Sequence, residues 1–301
     1  MQGKTVLITG GNCGIGLATA GALGKLGARV VIASRDEARG RRAITELHAE
    51  YGVDAELIQL DLASFDSIHR GAERFLARHA QLDVLINNAG LALSGRRETE
   101  DGFEYVLGVN HLGHFLLTNL LLERLKQSAP SRIVNLSSAA HVGARKGIDW
   151  EDLQRQKKYD GQSYCQAKLG TIYYSRILAR RLEDSNVSVF AVNPGFVTTR
   201  FGKDGDATGM MKLFYKLGDF WMAKADHGAR TSVYAAADPD ALQHNGGYLE
   251  NCAAKKPLPI ALDDAQAERF WRVSEELVAE AETRRAARST DSRHQSAAPG
   301  K

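Results

Sequence analysis

The chain has 301 residues, 44% of them apolar and 25% charged, with a formal net charge of +3. That length allows one large domain or two small ones, and the apolar share supports a sizeable core. Residues 284–301 carry five Lys/Arg against one Asp, which leaves 34 basic and 35 acidic residues elsewhere and excludes an overall basic balance directed at nucleic acid. No stretch approaches the ~20 consecutive apolar residues that span a bilayer. The first strand pattern starts at Lys4, so no signal peptide or membrane anchor is expected ahead of it. Cys13, Cys165 and Cys252 are far apart and odd in number. They suit neither a metal-ligand spacing nor a disulfide framework, and point to free thiols in a reducing cytoplasm.

Residues 4–9, KTVLIT, read as a buried strand. Gly10, Gly11, Asn12, Cys13, Gly14, Ile15 and Gly16 follow at once, and Ile15, Ala18, Thr19, Ala22 and Leu26 then recur at helical spacing. After Gly27 comes a second strand, ARVVIAS (28–34), which completes a βαβ crossover. Glycines let the backbone turn sharply and approach a ligand, and the helix start offers free N–H groups to a phosphate. Gly10, Gly14 and Gly16 give G-x-x-x-G-x-G rather than the commoner G-x-G-x-x-G. The end of the second strand sets cofactor choice. An acidic residue there would bind ribose hydroxyls and repel a 2′-phosphate, whereas Ser34 can donate to that phosphate and Arg35 can pair with it. NADP(H) is expected over NAD(H), with an Arg35–Asp36 pair as the alternative use of the arginine.

Residues 36–50 pattern as a charge-rich amphipathic helix. AELIQLDL (55–62) is a third strand ending in Asp61 and Leu62, and a helix follows at 65–79. LDVLINNAG (82–90) is a fourth buried strand running into Asn87, Asn88, Ala89 and Gly90. A helix over 99–127, broken near Gly108–Gly113, carries VNHLGHFLLTNLLL. It contains Asn110, and an Asn in an apolar helix usually bonds local backbone. His111 and His114 have no carboxylate or Cys at ligand spacing, so no metal is expected and they read as helix-surface histidines. SRIVNLSSAAH (131–141) is a fifth strand with Ser137 and Ser138 at its carboxyl end, where open parallel sheets bind ligands. No G-x-S-x-G elbow surrounds either serine, which argues against a serine hydrolase.

Tyr164 and Lys168 are four apart on a helix over 163–183 and so share one face. A nearby positive charge favours the ionised phenol, so this tyrosine is expected to titrate below the usual ~10 and to exchange a proton near neutral pH. VSVFAVNPG (187–195) is a sixth strand. Residues 200–225 have no clean period, yet Met210, Met211, Leu213, Phe214, Phe220, Trp221 and Met222 are too apolar for an idle loop. A substrate lid over about 196–225 is expected, with a dimer contact or plain packing as the alternative. A helix over 226–237, a strand GGYLENC (246–252) and a final helix over 265–282 complete the pattern. The tail at 284–301 lacks apolar periodicity and is expected to be disordered.

The alternation of strands and helices predicts one doubly wound α/β domain of Rossmann type over residues 1–283, with about seven parallel strands and helices on both faces. TGGNCGIG, NNAG and the Tyr164-x-x-x-Lys168 pair resemble the short-chain dehydrogenase/reductase family, and the likeness runs over residues 4–282. The piece HVGARKGIDWEDLQRQKKYDG (141–161), which sets Ser138 and Tyr164 26 positions apart, is similar to the insert of the retinol dehydrogenase-like branch. YCQAKL and the segment at 265–282 are similar to that branch too.

The resemblance implies an oxidoreductase that moves a hydride between NADP(H) and a carbonyl or alcohol. Tyr164 would be the acid/base, Lys168 its modulator, Ser138 the group that fixes the substrate oxygen with Ser137 as structural neighbour, and Asn110 the anchor of a relay water. The cofactor would meet Gly10, Asn12, Gly14, Ile15 and Gly16, then Ser34 and Arg35, then Asp61 and Leu62. Asp61 would accept from the adenine amino group, or else cap the next helix. Asn88, Ala89 and Gly90 would line the adenine ribose, unless the asparagines serve only a turn. Tyr164 and Lys168 would lie at the nicotinamide end, and Pro194, Gly195, Val197 and Thr198 beside the carboxamide and phosphates. The expected substrate is bulky and apolar, such as a retinaldehyde-like, long-chain or steroid-like carbonyl. The family often forms homodimers or homotetramers through the helices near 113–127 and 163–183. Two alternatives are a specialised reductase such as a protochlorophyllide reductase relative, whose extra segment before the last helices is missing, and a non-catalytic NADP(H)-binding protein, against which the four catalytic residue types argue.

Overall fold

The computed structural model describes residues 1–195 and 225–296, the last eight as helix backbone. The lid expected over 196–225 lies outside the described residues apart from Ala225, and so do Val197 and Thr198. The described strands are β1 (Thr5–Thr9), β2 (Arg29–Ser34), β3 (Ala55–Gln59), β4 (Val84–Asn87), β5 (Ser131–Leu136), β6 (Val187–Asn193), β7 (Tyr248–Glu250) and β8 (Ala253–Ala254). They form one sheet in the order β3-β2-β1-β4-β5-β6-β7-β8. The first seven pair in parallel. The eighth strand, beyond the expected seven, returns antiparallel on β7. Asn251 and Cys252 make its two-residue turn at φ 53° and 58°, the left-handed pair that a tight hairpin requires.

Strands buried on both faces read as continuous apolar runs, and successive side chains go to opposite faces. Val6, Ile8, Val30, Ile32, Val84 and Ile86 enter one core layer, and Leu7, Val31, Leu85, Ile133 and Val189 enter the other. Helices α1 (Gly14–Lys25), α2 (Glu37–Glu46) and α7 (Ala225–Ala237) cover the first layer. Helices α3 (Phe65–Arg78), α5 (Gly113–Gln127), α6 (Gln162–Arg181) and α8 (Asp264–Ser296) cover the second.

The helix expected over 99–127 starts later. Residues 98 and 104 form a β-bridge, and the Glu104 carboxylate caps α4 (Tyr105–Leu107) by accepting from the amides of Val106 (2.9 Å) and Leu107 (2.7 Å). The expected break at Gly108–Gly113 is a π turn over Gly108–Leu112 that runs directly into α5. Tyr105–Gln127 is long and apolar enough to cross a bilayer, yet 78% of its apolar window is buried inside the fold, the pattern of a core helix.

α8 continues to Ser296, into the stretch expected to be disordered. Arg284 donates to the Asp101 carbonyl oxygen (3.3 Å), Arg285 pairs with Glu282 (3.0 Å) and Asp66 (3.4 Å), and Arg288 pairs with Asp101 (3.5 Å). Ionic partners far along the chain take the place of apolar periodicity there. Further up α8, Trp271 stacks on Tyr174 at 5.6 Å and meets Phe115 at 5.1 Å. α8 thus lies across α5 and α6, the two helices expected to form a subunit contact.

Candidate active site

The carboxyl ends of β1, β2, β4, β5 and β6 open on a cleft of about 470 Å³. Glycine shapes its first wall. Gly10 and Gly14 have φ of 65° and 56°, where side chains are strained. A Cβ on Gly16 would collide with the Gly10 carbonyl oxygen and lie 2.5 Å from Asn88 Nδ2. The start of α1 is therefore packed against the turn, Gly10, Gly14 and Gly16 line the cleft, and no acidic side chain occupies the first turn of α1. That helix start suits an anion.

Three arginines line the far end of the cleft: Arg35, Arg39 and Arg42. β2 ends at Ser34, as the cofactor argument required. Asp36 is committed to capping α2: it accepts from the Arg39 amide at 2.9 Å, which together with the Arg39 charge lowers its pKa. Arg35 donates instead to the Tyr105 hydroxyl at 3.3 Å. Ser34 lines the same end. Its buried hydroxyl donates to the Asp36 carbonyl oxygen at 2.9 Å, so its proton is held within the loop.

Between these walls lie Asn12, Ile15, Asp61, Leu62, Asn88, Ala89 and Gly90. Asp61 accepts from the Ala63 amide at 2.9 Å, while Ser64 caps α3. Asn88 does not merely turn the chain. Its side-chain Nδ2 donates to the Thr9 and Gly10 carbonyl oxygens at 2.8 and 3.3 Å, which clamps the glycine turn to β4.

Tyr164 and Lys168 face the other end of the cleft, with Ser137 and Pro194 nearby. Lys168 Nζ lies 5.6 Å from the centre of the Tyr164 ring and donates to the Leu136 carbonyl oxygen at 2.7 Å. Burial lowers its pKa from 10.5 to about 8. Ser137 donates to the Lys168 carbonyl oxygen at 2.8 Å. Ser138 is half-buried just beyond the cleft wall and accepts from the Ala140 amide at 3.1 Å, which leaves its proton to give. Asn110 lies in the π turn, and its side chain exchanges both hydrogen bonds with the Leu91 main chain (2.9 and 2.8 Å). A Cβ on Gly90 would lie 3.3 Å from Lys168 Nζ and 3.4 Å from Asn110 Oδ1, so glycine there leaves the two groups room to approach.

His111 and His114 are not surface residues, being only 3% and 5% exposed. His111 Nε2 bonds Ser274 of α8 at 2.7 Å, and His114 Nε2 bonds Thr9 at 2.9 Å. Burial pushes both pKa values down to about 3. The sequence reading also passed over Arg39 and Arg42; their signal was basic spacing on α2, just after Arg35. It passed over Asn193 as a buttress: Oδ1 of Asn193 accepts from the amides of Ala139 and Gly195, each at 3.1 Å. Among the described residues, no group of three His, Cys, Asp or Glu side chains is placed to hold a metal ion.

The family model for short chain dehydrogenase matches residues 4–208. The chain belongs to the short-chain dehydrogenase family. Within the family it falls in the retinol dehydrogenase-like branch. It is 43% identical over 292 residues to retinol dehydrogenase 14 of Mus musculus, covering 92% of this chain and 86% of that one. A crystal structure of an uncharacterized protein from Mycobacterium paratuberculosis matches with a TM-score of 0.73 at 32% identity, covering 92% of this chain and 94% of that one. The NADP active-site complex of RhlG from Pseudomonas aeruginosa matches with a TM-score of 0.66 at 25% identity, over 87% of this chain and 97% of that one. This short-chain dehydrogenase is therefore an oxidoreductase acting on alcohol or carbonyl groups. Its cleft also has the parts a dinucleotide needs: a close-approach glycine turn at a helix start, a basic end, and a buried lysine at the opposite end.

Proposed function

We propose that the protein transfers a hydride between NADP(H) and a carbonyl or alcohol carbon of a bulky apolar substrate, with Tyr164 as acid/base. The observation that carries this reading is the buried Lys168 ammonium beside Tyr164, in the same cleft as Arg35, Arg39 and Arg42. When bound, the nicotinamide supplies or accepts the hydride. In the direction of reduction, Tyr164 gives its hydroxyl proton to the substrate oxygen and Ser138 donates a hydrogen bond to that oxygen. The Lys168 charge stabilises the phenolate left behind. The Asn110 carbonyl holds a water that returns a proton towards Lys168. Lys168 and Tyr164 hold the nicotinamide ribose, the glycine turn and α1 hold the pyrophosphate, and the arginines hold the 2′-phosphate.

The wall beside the tyrosine supports the reading of the substrate class. Leu91, Tyr105 and Tyr164 line the cleft, backed by Leu93, Val106, Tyr159 and Ala167 in an apolar cluster of their own. Tyr159 comes from the insert at 141–161. Such a wall favours a long hydrocarbon carbonyl, and retinol dehydrogenase 14 bears the name of a retinoid activity. With NADPH as the abundant reduced cofactor, reduction is the working direction. Three free cysteines favour a reducing compartment, the cytoplasm in this reading.

The test is loss of reduced-nicotinamide absorbance with NADPH or NADH and a panel of retinaldehyde, long-chain aldehydes and steroid ketones. Turnover with NADPH and a bulky aldehyde is expected. Turnover with NADH alone would remove the arginine argument. Cofactor binding without turnover on any carbonyl would favour a non-catalytic binding protein.

A further inference from the structure

His141 lies in the 3₁₀ turn Ala139–Gly143 that follows Ser138, and it is 3% exposed. The Leu258 amide donates to its Nε2 at 3.2 Å. A main-chain amide can only donate, so Nε2 carries no proton and the neutral ring carries it on Nδ1. Nδ1 is 2.8 Å from the Ser138 carbonyl oxygen, which accepts. The two partners thus assign the tautomer. Burial lowers the pKa of this ring, and Glu250 and Lys255 are the charges that act on it. Tyr248 of β7 meets the ring edge-on at 5.1 Å.

The peptide between Ser138 and Ala139 is held at both polar atoms. Its carbonyl oxygen accepts from His141 Nδ1 and from the His141 amide at 3.1 Å. Its N–H, that of Ala139, donates to Asn193 Oδ1 at 3.1 Å. A pinned peptide plane fixes ψ of Ser138, and the Ala140 amide, donating to Ser138 Oγ at 3.1 Å, holds the side chain on that backbone. Leu258 stands 117 positions away and just ahead of α8, so the ring ties the serine to a distant segment.

We propose that His141 is a positioning residue: its Nδ1–H, held in place by the Leu258 amide, fixes the Ser138 peptide so that the Ser138 hydroxyl meets the substrate oxygen. This rests on the reading that Ser138 binds that oxygen. His141 itself does not line the cleft. A small misplacement of a group that must meet a reacting atom lowers the rate far more than it disturbs the fold.

The test uses the full chain with NADPH and its best aldehyde. His141→Phe keeps a ring against Tyr248 and removes both hydrogen bonds. His141→Asn keeps a donor close to the Nδ1 position. In the phenylalanine variant kcat is expected to fall about tenfold or more, with NADPH affinity by nicotinamide fluorescence within about threefold of wild type. The asparagine variant is expected to recover most of that loss. A folded phenylalanine variant with wild-type kcat and KM would overturn the proposal. Should that variant not fold, ¹⁵N NMR of the wild-type imidazole decides: a proton on Nδ1 supports the proposal and a proton on Nε2 overturns it. Ser138→Ala separates the two layers. Wild-type turnover there removes the serine reading and the proposal with it. An inactive Ser138→Ala beside a fully active His141→Phe removes the histidine alone.

Discussion

The Lys168 ammonium lies 5.6 Å from the centre of the Tyr164 ring, one turn along the same helix and inside the fold. Among the described residues it donates to the Leu136 carbonyl oxygen, a neutral acceptor at the end of β5. A buried cation held by a neutral group is costly to the fold, and its charge acts strongly on whatever lies beside it.

That cost has a pH signature. The lysine titrates at about 8 in the folded protein against an ordinary 10.5. Between those values the unfolded chain holds more protons than the folded one, so stability rises with pH, by up to about 1.4 kcal/mol per unit. Lys168→Met is expected to remove this rise. Urea unfolding of the cofactor-free wild type and variant at about pH 8 and about pH 9.5 measures the difference. Equal slopes in the two proteins would contradict the assignment.

The basic end of the cleft carries a second prediction. Among the described residues Arg35 donates to a tyrosine hydroxyl, and Arg39, 3.7 Å from Asp36, lines the same end. Arg35→Ala and Arg39→Ala are each expected to lower the NADPH-to-NADH affinity ratio about tenfold, the worth of one charge-assisted hydrogen bond. Fluorescence titration with the two cofactors reads the ratio without any turnover. A ratio unchanged in both variants would assign the arginines to surface packing.

How far the sequence carried this reading depends on distance along the chain. The glycine turn, the strand ending at Ser34 and the Tyr164–Lys168 pair are local patterns, and each stands where its spacing placed it. At Ser34 the spacing did not show the local bond, in which the hydroxyl donates to the Asp36 carbonyl two residues on. His111 and His114 were misread because polar side chains within an apolar helix look like its wet face. Their partners, Ser274 and Thr9, are 163 and 105 positions away. The helix at 284–288 escaped for the same reason, since Asp66 and Asp101 hold it from across the fold.

The two buried histidines give a third prediction. Both titrate at about 3 when folded against an ordinary 6.5. The unfolded chain therefore holds more protons from about pH 6.5 downward, and stability falls with pH by up to about 1.4 kcal/mol per unit for each ring. His111→Phe is expected to flatten the decline between about pH 6.5 and pH 5, whatever it costs at neutral pH. Urea midpoints of wild type and variant across that range check it. A decline of unchanged steepness would mean that His111 is charged inside the fold.

The central claim is that Tyr164 moves the proton. The direct measurement is kcat of Tyr164→Phe with NADPH and the best aldehyde of the panel, beside its NADPH affinity. The phenylalanine keeps the ring against Lys168 and removes only the hydroxyl. Turnover is expected to fall by about a hundredfold or more while affinity stays within a few fold. A variant that turns over at the wild-type rate would remove Tyr164 from the mechanism.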